Sequence, residues 1–142
     1  MNFRNGVIQT ENIWTAWNPI DTIERKYFAC KLIDDEDCIR LYLISTESSQ
    51  RLTLNFPGMV YAYRSRLEIA ALRTINEITD ESGHLDASDW TFFIIKNSTF
   101  AKEIAEDSQG IYPESQLIHF AVDAGESLIE FIRDRLPVIK CE

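Results

Sequence analysis

The sequence predicts an α+β fold: a mostly antiparallel sheet of about five to seven strands, with two or three helices packed on one face. Three observations point there. Short segments alternate apolar and polar side chains at period two, as in Ile39, Leu41 and Leu43 and again in Leu52, Leu54 and Phe56. Between residues 67 and 78 the apolar spacing changes to four, four and three, through Leu67, Ala71, Ile75 and Ile78, which is one face of a helix. Polar and Pro-Gly segments separate these stretches without dividing the chain, so all 142 residues are read as a single domain, 1–142.

Taken in order, residues 7–20 contain Val7, Ile8, Ile13, Trp14 and Trp17 with an ambiguous period, and a strand is preferred over a loop. Residues 26–33 are aromatic and β-branched, residues 38–46 alternate, and the four acids between them make a hairpin tip. Closing Ile33 opposite Cys38 would set Cys30 opposite Leu41, so Cys30 and Cys38 would not face each other. A third strand follows at 52–56. Pro57-Gly58 signals a type II turn, and a fourth strand is expected from Met59 to Arg64. After the helix at 67–78, the polar residues 79–89 read as a loop. The apolar run from Trp90 to Lys96 reads as a central strand buried on both sides. Asn97-Ser98 suits a helix N-cap, and Gly110 suits a left-handed cap at that helix's end. Leu117 to Val122 is expected as a strand. Asp123 is expected to cap a last helix carrying Leu128, Ile129 and Ile132, which Pro137 stops, with Val138-Ile139 as a short edge strand.

The search for chemistry excludes more than it finds. No run approaches the length of apolar chain that a spanning helix needs, and the first residues lack the apolar core of a secretory signal, so a cytoplasmic location is expected. Cys30, Cys38 and Cys141 are an odd set without CxxC spacing and read as free thiols. His84 and His119 have no ligand at metal-site spacing, and neither a phosphate-binding glycine loop nor a nucleophile elbow is present. No catalytic residue, cofactor or metal is therefore expected. Scattered carboxylates acting as general acid and base remain the enzyme alternative, which would require two of them to converge in a pocket. Trp14, Trp17, Tyr61 and Tyr63 read as packing under the sheet, with interface anchors as the alternative. Arg64-Ser65-Arg66 is too small to make a nucleic-acid stripe.

Charge is informative by position. The total is 14 basic against 23 acidic side chains, or −9. Residues 1–73 hold nine of each sign and sum to zero, so the whole excess lies in residues 74–142, fourteen acids against five bases. With the helices on one side of the sheet, one surface would be strongly negative, favouring a cationic partner and opposing nucleic acid. The candidate contacts are the hairpin tip (Asp34, Asp35, Glu36 and Asp37) and the later acids Glu77, Asp80, Glu81, Asp86, Asp89, Glu103, Glu106 and Asp107.

The segment Trp90-Thr91-Phe92-Phe93-Ile94-Ile95-Lys96-Asn97-Ser98 is followed by Ser108-Gln109-Gly110-Ile111-Tyr112 and then His119-Phe120, with Tyr63-Arg64 upstream. This order resembles the immunity proteins encoded beside bacterial polymorphic and contact-dependent growth inhibition toxins. There a W-x-F strand leads through N-S into a helix, then S-x-G-I-Y, then an H-[YF] strand. The resemblance spans roughly residues 60–139 and consists of packing and capping positions. It implies a cytoplasmic, non-catalytic inhibitor that binds a cognate toxin domain. The acidic balance suits a basic toxin domain such as a nuclease, whose active site would be occluded without direct nucleic-acid or membrane contact. The alternative is a small acidic regulatory or ligand-binding module with no toxin partner.

Overall fold

A computed structural model describes residues 2–4, 7–78 and 89–141. Eleven strands and two α-helices are present among them. β1 (Asn2–Arg4) and β2 (Val7–Gln9) form a small hairpin. β3 (Ile13–Ala16), β7 (Ala62–Leu67), β8 (Phe92–Lys96), β9 (Ile118–Ala124) and β10 (Ser127–Arg133) form a five-stranded sheet in the order β3-β8-β9-β10-β7. β4 (Tyr27–Asp34), β5 (Cys38–Ser45), β6 (Arg51–Pro57) and β11 (Val138–Cys141) form a four-stranded sheet in the order β11-β6-β5-β4. All pairings are antiparallel. The α+β class holds, but the single sheet expected from sequence is two sheets.

The two sheets bury a common core. In the four-stranded sheet the inward residues of β5 face those of β6 across the ladder: Ile39 opposite Phe56, Leu41 opposite Leu54 and Leu43 opposite Leu52. All six are buried. Phe56 stacks on Phe131 of β10 with ring centroids 4.3 Å apart, and Tyr27 packs on Phe92 of β8 at 5.8 Å. Full burial of one such side chain contributes about 1.5–3 kcal/mol, so this shared layer fixes how the sheets stack.

The other face of the five-stranded sheet carries the helices. α2 (Thr99–Asp107) lays Phe100 and Ala101 on Ile132 of β10, with Ile104, Ala62 and Leu117 around them. Ser98 caps it by accepting from the Ala101 N–H at 2.9 Å. Gly110, with φ +83°, takes the left-handed position beyond its end, where its N–H reaches the Ala105 carbonyl. The cap and stop signals read from sequence are thus in place. α1 (Leu72–Glu77) is shorter than the helix expected at 67–78. Leu67 ends β7 and residues Glu68–Ala71 form a 3-10 turn.

Four expectations are corrected. The run after Asp123 is not a helix: Leu128, Ile129 and Ile132 lie in β10, buried from Leu128 to Arg133. A strand that is apolar on both faces produces a near-continuous run, and the spacings of three and four that link Leu128 and Ile129 to Ile132 also satisfy a helix. Gly125 decides the matter. With φ +72° it begins a two-residue turn, Gly125-Glu126, that joins β9 to β10 with Ala124 opposite Ser127. Second, Pro57-Gly58 does not join paired strands. β7 leaves the four-stranded sheet and pairs with β10, starting at Ala62 rather than Met59. Third, the β4–β5 hairpin closes with Asp34 opposite Ile39 and Ile33 opposite Arg40, and the ladder slips at Cys30 between Ala29 and Lys31. The tip keeps four residues but is shifted by one, from 34–37 to 35–38, because Asp34 is still paired. Fourth, Asp123 and Glu130, expected at the cap and in the body of the last helix, are buried strand residues of β9 and β10. The loop expected over 79–89, with His84, Asp80, Glu81 and Asp86, falls outside the described residues except for Asp89.

Candidate functional site

The acidic candidates do not form one cluster. Asp34, Asp35, Glu36 and Asp37 stand exposed at the β4–β5 tip. Part of that charge is engaged locally. Asp34 accepts from the Tyr63 hydroxyl at 3.1 Å, and Asp35 accepts from the Cys38 N–H at 3.0 Å and pairs with Arg40 at 3.3 Å. Glu103, Glu106 and Asp107 lie exposed on α2. Glu77 is half-buried at the end of α1, 3.9 Å from Arg73, and Asp89 is half-buried before β8. The tip belongs to the four-stranded sheet and α2 packs on the five-stranded one, so they are separate acidic patches.

The most concentrated polar chemistry was read from sequence only in fragments. It is built on the helix-bearing face of the five-stranded sheet. Period-two alternation places Arg64 and Arg66 of β7 on that face, opposite Glu130 and Leu128 of β10, while His119 of β9 lies opposite Ile132. Glu130 is 1% exposed. It receives Arg64 Nε at 2.8 Å and Arg64 Nη2 at 3.1 Å, a forked pair, and Arg66 Nη2 at 3.0 Å. His119 Nε2 meets the same carboxylate at 2.9 Å, and its Nδ1 is 2.7 Å from Ser98 Oγ.

The proton positions follow from the partners. Ser98 Oγ accepts from the Ala101 N–H, so its hydroxyl donates to His119 Nδ1, and His119 Nε2–H donates to Glu130. Burial lowers the His119 pKa, outweighing the support of Glu130, so the ring is neutral near pH 7. Burial pushes Glu130 the other way, but the hydrogen bonds from His119 and Arg64 and the Arg64 charge hold it at about 2. Serine, imidazole and carboxylate in this order are the components of a hydrolytic relay. Here the serine is 5% exposed and its oxygen is also the helix cap, so the row ties α2 to the sheet.

Beside the cluster is a cavity of about 230 Å³, walled by Trp14, Ile95, Thr74, Thr99 and the two arginines. Asn12 closes one end: its Oδ1 accepts from the Thr99 N–H at 2.9 Å and its Nδ2 donates to Thr99 Oγ1 at 3.1 Å. A second buried acid, Asp123, pairs with Lys26 at 3.1 Å; Lys26 also donates to the carbonyls of Trp90 and Asp123. Burial raises the Asp123 pKa, and the Lys26 charge opposes it. Among the described residues no three His, Cys, Asp or Glu side chains gather as metal ligands, and Cys38 and Cys141 are free thiols.

Sequence held one usable signal for this site. Arg-x-Arg on a strand puts two guanidinium groups on one face, and the acid inside Leu-Ile-Glu-Phe-Ile cannot be buried without a cation. The four aromatics left open are mainly packing groups. Trp14 meets Phe93 edge-on, Trp17 meets Phe120 edge-on, and Tyr61 stacks on Tyr112. Tyr63 stacks on Phe131 while remaining 39% exposed. Comparison with family models, curated proteins and solved structures gives no match. No helix among the described residues is long and apolar enough to cross a membrane.

Proposed function

We propose that this chain is a cytoplasmic immunity-type protein that binds a basic toxin domain, such as a nuclease, and occludes its active site without chemistry of its own. The observation that supports this reading best is an exposed apolar ridge with an acidic border. Leu67, Ile69 and Leu72 are 62%, 76% and 50% exposed, and Glu68 and Glu126 flank them. Phe28, 42% exposed, sits against Gly125 of the adjoining turn. Large apolar side chains left in water and bordered by carboxylates are the anchors and rim of a protein interface whose partner is basic. The resemblance around residues 60–139 and the net charge of −9 agree with it.

The test is co-expression with the toxic domain encoded by the neighbouring gene. The wild-type chain should restore growth, and Ile69→Asp should abolish both rescue and co-purification while leaving the circular dichroism spectrum unchanged. Growth arrest despite a folded wild-type chain would overturn the reading.

A further inference from the structure

We propose that the outer edge of β7 takes up an extended segment of the toxin domain, which joins the five-stranded sheet as a further antiparallel strand with apolar side chains between basic ends. The partner's identity rests on the toxin reading; the new element is what that partner inserts. β7 ends the order β3-β8-β9-β10-β7, so one of its sides has no strand beside it among the described residues. The phase of the ladder decides which groups point that way. The Glu68 N–H donates to the Glu126 carbonyl at 2.7 Å, in step with Leu67 opposite Ser127 and Arg66 opposite Leu128. Antiparallel pairs alternate between bonded and non-bonded, so Arg64 and Arg66 bond inward to β10. The N–H and C=O groups of Tyr63, Ser65 and Leu67 therefore point outward, a template for a strand of about five residues.

The remaining edges are shorter or broken. β3 and β11 have four residues each, and the β4 ladder slips at Cys30. β7 keeps six residues in unbroken register. Charged side chains commonly guard such an edge. Here both guanidinium groups are drawn back over the sheet to Glu130, and Arg64 lies above the Phe100 ring at 4.2 Å. The edge runs directly into the ridge of Leu67, Ile69 and Leu72, so one partner can cover both.

The two faces specify the segment. Tyr63, Ser65 and Leu67 share the face turned toward the four-stranded sheet, since Tyr63 stacks on Phe131 and Phe131 on Phe56. Ser65 is small and exposed between two large exposed side chains, which leaves a notch for an apolar side chain opposite it. Acids stand at both ends of the notch: Asp34 at the Tyr63 hydroxyl, and Glu126 beside Leu67. Basic side chains at the ends of the segment complement them. On the other face Arg64 and Arg66 share Glu130, and Glu77 lies beside them, so neutral polar side chains fit there. A second copy of β7 fits worse. With Ser65 on Ser65, Arg64 would lie opposite Arg66 and Asp34 near Glu126 across the pair, like charge against like in both places.

The experiment uses the full chain and a capped peptide, Lys-Val-Thr-Val-Thr-Val-Lys, whose valines fall opposite Tyr63, Ser65 and Leu67. At saturation, amide hydrogen exchange followed by NMR should slow about tenfold or more at those three residues and stay unchanged at Arg64 and Arg66, whose N–H groups are already in the ladder. The peptide N-methylated at its valines should give no protection. Replacing both lysines by glutamate should weaken binding about tenfold, the worth of two rim ion pairs turned repulsive. Ser65→Pro removes one outward N–H and leaves the bonds to β10 in place, so it should abolish peptide binding and toxin rescue together. Because a proline can unfold the chain, the N-methylated peptide makes the same test on the unchanged protein. No saturable protection, or equal protection by the N-methylated peptide, would overturn strand addition. So would a folded Ser65→Pro chain that still rescues growth, an outcome that leaves the toxin reading standing. Failure of the wild-type chain to rescue overturns the toxin as partner, and the peptide titration then decides by itself whether the edge takes a strand. Protection of the three amides before any peptide is added, with a dimer in sedimentation, would assign the edge to a second copy and overturn the toxin segment.

Discussion

At the scale of single residues, stability depends on how Glu130 and His119 are held. The folded pKa of Glu130 is about 2, against an ordinary 4.5, so the unfolded chain binds its proton first as acid is added. That difference corresponds to about 3 kcal/mol, present above pH 4.5 and lost as pH falls toward 2. His119 adds a limb of the same sign at higher pH. Its folded pKa is below 6.5, so the unfolded state gains the proton first and stability declines as pH drops below about 6.5. Urea midpoints measured across pH should therefore be flat above neutrality and fall in two stages. Glu130→Gln should remove the lower stage and cost about 2 kcal/mol or more at pH 7, because Arg64 and Arg66 lose their counter-charge. A single decline with the midpoint of an ordinary carboxylate would show that the cluster is not formed. Ser98→Ala removes the α2 cap and the His119 partner together, and should cost about 1–2 kcal/mol by the same denaturation.

At the scale of elements, what the sequence revealed divides by the kind of signal. Strands with one wet face were legible, because Ile39, Leu41 and Leu43 alternate with polar neighbours. So was α2, whose start and stop depend on local chemistry at Ser98 and Gly110. β10 was not legible as a strand: both its faces are covered, by the second sheet on one side and α2 on the other, so alternation vanishes. The partner of β7 was also hidden, since nothing near Pro57 distinguishes a return from a departure to another sheet. The cluster at Glu130 was hidden for the same reason, as its members come from three strands that meet only when β9, β10 and β7 are adjacent. Gly125 tests the β9–β10 turn directly. An added Cβ would lie 3.1 Å from the Phe28 Cβ at a φ of +72°, so Gly125→Ala should lower stability by about 1–2 kcal/mol in thermal unfolding. An unchanged melting temperature would rule out that turn.

At the scale of the whole molecule, the division of charge by sequence is not a division in space. The last 69 residues carry the −9, yet two of their acids are buried against cations of the first 73, Asp123 with Lys26 and Glu130 with Arg64 and Arg66. Among the described residues, the exposed acids of those 69 are Glu103, Glu106 and Asp107 on α2 and Glu114, Glu126 and Asp134 away from it, while the acidic hairpin tip belongs to the first 73. Association with a basic partner should still slow as salt rises toward physiological strength, because steering depends on the summed field. Stopped-flow association rates that do not change with salt would remove the electrostatic part of the proposal. The sheet memberships have a further consequence, for kinetics. β3 is an edge of a sheet otherwise built from residues 62–133, and β11 is an edge of the sheet built from residues 27–57. Each half of the chain thus completes the other's sheet, and long loops must close before either sheet is whole. Folding should therefore be slow for this length, in about the millisecond-to-second range followed by tryptophan fluorescence, and a fragment covering only residues 1–73 should remain unfolded.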